Sequence, residues 1–139
     1  MRTFLIAMAA AAALTGAASA GEAHKLLETD KTVIGGPITY PSGPAQITAV
    51  TVTIDPGEEN GWHLHPVPTF GYIETGVLTV YYKGGEKRVF RAGEAVVEAQ
   101  NVIHKGRNEG TEPVTMRVFY AGATGVPTTV MKQDYKGGD

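Results

Sequence analysis

Between residues 46 and 121 the chain is a succession of short β-branched runs, cut by glycine or proline at roughly the 8–12-residue spacing of a sandwich or barrel. No segment in this stretch carries apolar residues at the three-and-four spacing of a helix. That pattern restricts the chain to an all-β fold. Residues 46–54 alternate, with Ile47, Ala49, Thr51 and Thr53 set against Thr48, Val50, Val52 and Ile54. Asp55-Pro56-Gly57 ends the run with turn chemistry. Further strands are predicted over 61–65, 69–74, 77–82, 87–90, 95–98, 102–108 and 114–121, with an outer strand over 25–34. The tail from 122 to 139 is rich in Gly, Thr and Lys and is expected to be loose beyond Met131.

Residues 1–20 stand apart. Arg2 supplies a positive start, residues 4–14 are apolar, and Ala18-Ser19-Ala20 is a small-x-small cleavage site. The run is shorter than the ~20 apolar residues that span a bilayer, so it reads as a cleaved signal peptide and the protein as exported, periplasmic or secreted. The expected organisation is a leader at 1–20, an N-terminal arm at 21–45, a barrel at 46–121 and a tail at 122–139. The mature chain then carries no membrane span, and its formal charge moves from −2 to −3 with the loss of Arg2. No basic cluster occurs, which argues against nucleic acid as a partner. There is no cysteine, so disulfides, thiolate nucleophiles and Zn–Cys sites are excluded.

Three of the four histidines fall in two short segments, at His63, His65 and His104. On a strand, residues i and i+2 share a face, so His63 and His65 point the same way, with Trp62 and Leu64 on the opposite side. Paired imidazoles in a lumen are costly unless they are protonated, hydrogen-bonded or ligated. The spacing alone leaves a satisfied polar pair and a metal site both open.

The segments Gly57-x5-His63-x-His65-x3-Thr69-x6-Gly76 and Gly93-x5-Ala99-x-Asn101-x2-His104-x3-Asn108 resemble the two motifs of the small single-domain cupins (cupin type 2). Those motifs read G-x5-H-x-H-x3,4-E-x6-G and G-x5-P-x-G-x2-H-x3-N. The resemblance implies a double-stranded jelly-roll β-barrel holding a divalent ion (Fe, Mn, Ni or Zn) on His63, His65 and His104. It departs at three places. Thr69 stands where the family has a glutamate ligand, and Ala99 and Asn101 stand where it has proline and glycine. Asn tolerates the left-handed backbone that glycine supplied, so the second change affects a turn. Thr69 leaves three neutral ligands and a more open, more positive site.

Glu74 lies an odd five residues beyond Thr69 and is expected to face away from the site. Asn108 reads as a turn residue bonding backbone near the site, Glu58 and Glu59 as solvated charges, and His24 as part of the arm. Tyr72, Tyr81, Tyr82, Tyr120 and Arg117 are candidates to reach a ligand, against ordinary strand packing for each. The leading expectation is a metal-dependent dioxygenase acting on a small oxygenated molecule, with isomerase or lyase chemistry next. The alternatives are a non-catalytic metal or small-ligand binding module, and a barrel that has lost tight metal binding with the carboxylate. No catalytic residue beyond the ligands is assigned. A homodimer built by sheet extension along the edge near 25–34 is the assembly such an edge would allow.

Overall fold

The computed structural model describes residues 21–137, so the leader read at 1–20 lies outside the described residues. Nine strands occur among them: β1 (Ala45–Ile54), β2 (His63–Leu64), β3 (Thr69–Thr75), β4 (Val77–Tyr82), β5 (Lys87–Arg91), β6 (Ala95–Val97), β7 (His104–Asn108), β8 (Val114–Ala123) and β9 (Val130–Met131). They form two antiparallel sheets in the orders β1-β8-β3-β6 and β5-β4-β7-β2-β9. The sheets face one another as a jelly roll and bury Ile54, Ile73, Leu78, Val114, Met116 and Val118 between them. Strand parity sets this core. Along β8, Val114, Met116, Val118 and Tyr120 turn inward while Arg117 and Phe119 face out.

The expected closed barrel is not what forms. No ladder joins the two sheets; at the corner nearest the histidines a single bridge links His65 to Gln100. Pro66 and Pro68 interrupt the chain between β2 and β3, and neither can donate to a ladder. Asn101, at φ 59°, turns the chain between β6 and β7 and is the one non-glycine residue with positive φ among those described. The strands that run into this corner, β2 and β6, are two and three residues long.

Two further expectations change. Residues 25–34 form no strand: Thr32 accepts from Gly35 N–H, donates its own N–H to Gly36, and curls the chain, leaving one bridge from Lys31 to Pro37. A free edge of the first sheet is instead offered by β1, which pairs with β8 alone over its ten residues. The tail is also more ordered than its composition suggests. β9 pairs with β2, Lys132 N–H bonds Trp62 C=O at 2.8 Å, and Tyr135 meets Trp62 edge-on.

Two residues of the paired motifs hold turns. A Cβ on Gly76 (φ 78°) would lie 2.7 Å from the Pro113 carbonyl oxygen, so only glycine fits there. Asn108 is fully buried; its amide donates to Ile54 C=O (2.9 Å) and Glu112 C=O (2.8 Å), and its carbonyl accepts from Gly110 N–H (2.9 Å). It staples the end of β1 to the β7–β8 turn and does not line the cavity described below. Asn108→Asp should set a carboxylate against two buried carbonyls and cost about 1–3 kcal/mol, read as a lower thermal midpoint with unchanged metal uptake. An unchanged midpoint would remove the staple role.

Candidate metal centre

His63 opens β2, directly opposite His104, which opens β7. His65 follows β2 and is fixed by its bridge to Gln100 and by Asn101 N–H donating to its carbonyl at 2.8 Å. All three side chains turn inward, at 5%, 6% and 2% exposure for His63, His65 and His104. The ring centroids are 4.5 Å (63–104), 4.8 Å (63–65) and 5.0 Å (65–104) apart.

The backbone decides which nitrogen each ring offers. His63 Nδ1 lies 2.8 Å from Gly61 C=O, His65 Nδ1 2.9 Å from Thr128 C=O, and His104 Nδ1 2.8 Å from Val102 C=O. A carbonyl oxygen only accepts, so each Nδ1 carries the proton and each Nε2 keeps its lone pair. The nitrogen each ring can offer to an ion lies within 4.8 Å of the other two. Burial holds the rings neutral: it lowers His63, takes His65 down to about 3 with repulsion from His104 and His63 adding to it, and takes His104 down to about 4. Three neutral imidazoles with inward lone pairs and outer N–H groups bonded to carbonyls are a donor set suited to Zn, Fe, Ni or Cu. The residues fit a divalent ion.

The cluster opens on a cavity of about 190 Å³ between the sheets. Its wall is mostly apolar, with Val80, Phe90, Val96, Met116 and Val118 prominent. Thr69 lines it, buried, with its hydroxyl donating to Val67 C=O at 3.0 Å. Tyr120 also lines it, 5.4 Å from the His65 ring between centroids. The other proposed ligand-reaching residues point elsewhere. Arg117 bonds Glu74 (2.8 Å) and Thr51 (2.7 Å) on the outer face, and Tyr81 bonds Glu109. Tyr72 is half-buried on β3 and does not line the cavity. Glu74 faces away, as its odd offset implies, even though the β3–β8 register shifts beside it. Glu59 is bound by Lys105 (2.8 Å) and Arg107 (3.6 Å), while Glu58 and His24 are exposed.

One residue of the site went unread in the sequence. Glu98, immediately after β6, lines the cavity. Its Oε1 accepts from Tyr82 Oη (2.7 Å) and from Ala99 N–H (2.6 Å). Burial pushes the Glu98 carboxyl up, and these two donors together with His63 pull it back. Tyr82, whose ring packs 5.7 Å from that of His104, has its phenol held protonated by burial and by Glu98. Parity points to Glu98 only weakly: Val96, two residues earlier, lines the same cavity, but Val97 between them is buried as well.

A family model described as "Cupin domain" matches residues 50–120, half of the chain. No curated protein matches it at a significant level. Among solved structures, it is similar to a chain of oxalate oxidase at 29% identity and TM-score 0.52, over 61% of this chain and 45% of that one. It is similar to the DMSP lyase DddQ from Ruegeria pomeroyi at 22% identity and TM-score 0.54, over 70% and 47%. A Klebsiella pneumoniae protein with a double-stranded β-helix domain matches at 16% and TM-score 0.55, over 77% and 84%. The chain thus spans less than half the length of the oxalate oxidase and lyase chains.

Two outcomes follow from this geometry. The rings have folded pKa values below their ordinary 6.5, so as pH falls the unfolded chain takes up protons first. Stability from keeping them neutral is complete above about pH 6.5 and is lost towards about 4 and 3; Glu98, shifted upward, opposes this as a single group. The metal-free protein should show a thermal midpoint falling between pH 6.5 and 5, with a smaller slope in His65→Gln; a flat profile would contradict neutral burial. Thr69→Glu should place an anionic donor on the cavity wall and tighten divalent binding at least tenfold, about 1.4 kcal/mol. Thr69→Gln serves as the neutral control, and equal affinities for both variants would show that position 69 does not reach the ion.

Proposed function

The chain belongs to the cupin family, and from that premise we propose that it holds one divalent ion on His63, His65 and His104 and acts on a small oxygenated molecule in the cavity, as a metal-dependent oxidoreductase of dioxygenase type. The observation that carries this reading is the convergence of three rings whose Nδ1 atoms are all spent on backbone carbonyls. A closed structural site fills its coordination sphere with protein atoms, whereas three neutral ligands leave positions for a substrate. A bound ion would polarise an oxygen donor there and, where it is redox-active, supply electron transfer.

This chain's own residues do the rest. The apolar wall seats a ligand's hydrocarbon part, while Tyr120 on β8 and Glu98 just after β6 offer polar contacts from the same sheet. The likeness to oxalate oxidase supports oxidoreductase chemistry on a small oxygenated compound. Oxalate itself is a poor match for this cavity, because a hydrophilic dianion would meet apolar walls and the Glu98 carboxyl.

Export after cleavage of residues 1–20 is part of the proposal, resting on the leader composition. So is a homodimer by sheet extension, for which the free β1 edge replaces the 25–34 segment. The experiment is to purify the untagged protein from the periplasm or medium, confirm its N-terminus and mass in solution, and measure metal content. One equivalent of a divalent metal, with oxygen consumption on Fe(II) loading in a panel of small phenols, diketones and thiols, is the expected result. Stoichiometric metal with no turnover across the panel would support the binding module instead. Less than a tenth of an equivalent, with no uptake on dialysis, would overturn the metal reading.

A further inference from the structure

Resting on the metal-site reading above, we propose that Glu98 is a second anchoring point in the cavity, accepting a hydrogen bond from a ligand hydroxyl, and that the ligand class is a compact, uncharged molecule with an apolar body and a free O–H. The Glu98 carboxyl group is held on one side only. Both of its protein donors, Tyr82 Oη–H and Ala99 N–H, go to Oε1. Oε2 receives no hydrogen bond from the described residues. Yet no buried side-chain oxygen or nitrogen among those residues lacks a partner, so Oε2 has open surface. Glu98 lines the cavity, and that is where the surface lies.

Several of the other polar groups on the wall are already committed. Thr69 donates to Val67 C=O, Asn60 Oδ1 accepts from Gly106 N–H at 2.8 Å, and each histidine Nδ1 is held by a carbonyl. Glu98 Oε2 is therefore a strong acceptor standing in an apolar enclosure beside the three rings. Such an acceptor rewards a ligand that donates and penalises one that brings a second carboxylate or an ether in its place. Size narrows the class further. The cavity of about 190 Å³ modestly exceeds the ~150 Å³ that admits benzene, so a single ring or a branched chain of similar bulk fills it.

Glu98→Gln is a sharp probe of this role. Oε1 must accept two donors, so the amide is obliged to set its oxygen there and to turn its NH2 into the cavity. The substitution keeps the shape and replaces an acceptor by a donor. Affinities of phenol, anisole and benzoate are measured by NMR titration on the Zn(II)-loaded wild type and Glu98→Gln, with zinc content determined on the same samples. Any preference that comes from phenol meeting zinc is common to both proteins and cancels in the comparison.

The expected result is one equivalent of zinc in both proteins and a phenol-over-anisole preference at least tenfold greater in the wild type, with benzoate binding strengthened in the variant. Zinc bound by both with the same preference would overturn the anchor and leave the metal site standing. Zinc lost from Glu98→Gln alone would make Glu98 a metal ligand and overturn the anchor as well. A wild type that takes up no zinc would remove the metal reading and this proposal together.

Discussion

Three hydrogen bonds from imidazole Nδ1 to the carbonyls of Gly61, Val102 and Thr128 organise this molecule's chemistry. They settle the tautomer of each ring, fix its plane, and leave one lone pair per ring directed at a common region. Two of the carbonyls lie two residues before the histidine they hold, so the local backbone of each strand entry orients its own side chain. The third comes from the far end of the chain, where β9 closes onto β2. The C-terminal segment therefore belongs to the site.

That dependence explains the limits of what was legible in the sequence. Parity placed His63 and His65 on one face, the motif resemblance put Asn101 at a glycine's left-handed position, and the odd offset of Glu74 kept it outside. Each of these is a local property of a few residues. What escaped is non-local. The pairing of β9 with β2 depends on two residues per strand, too few for any period to register. The barrel failed to close because two prolines and a left-handed asparagine fall at one corner, a combination that becomes visible only when β2, β3, β6 and β7 are adjacent. The 25–34 segment had the β-branched residues of a strand but folds around Thr32, whose backbone bonds curl it.

Glu98 is the instructive case. The strand just before it is apolar on both faces, so the alternation that flags a charged side chain as inward or outward is weak there. A carboxylate that the first motif lacks at Thr69 is present in the cavity, immediately after β6 and at a position the second motif leaves unspecified. The cavity is less positive than three neutral ligands alone would make it. Its acidic group is held by Tyr82 from the opposite sheet, which ties the site's electrostatics to the packing of the two layers.

One divalent ion held through Nε2 of His63, His65 and His104 is what every other feature of the site serves. X-ray absorption at the metal edge of the zinc- or iron-loaded protein tests it most directly. Three imidazole nitrogens at about 2.0–2.2 Å are expected, with the outer-ring scattering of imidazole and lighter oxygen donors completing the sphere. A sphere with fewer than three imidazoles, or one unchanged when His104 is replaced by Gln, would contradict it.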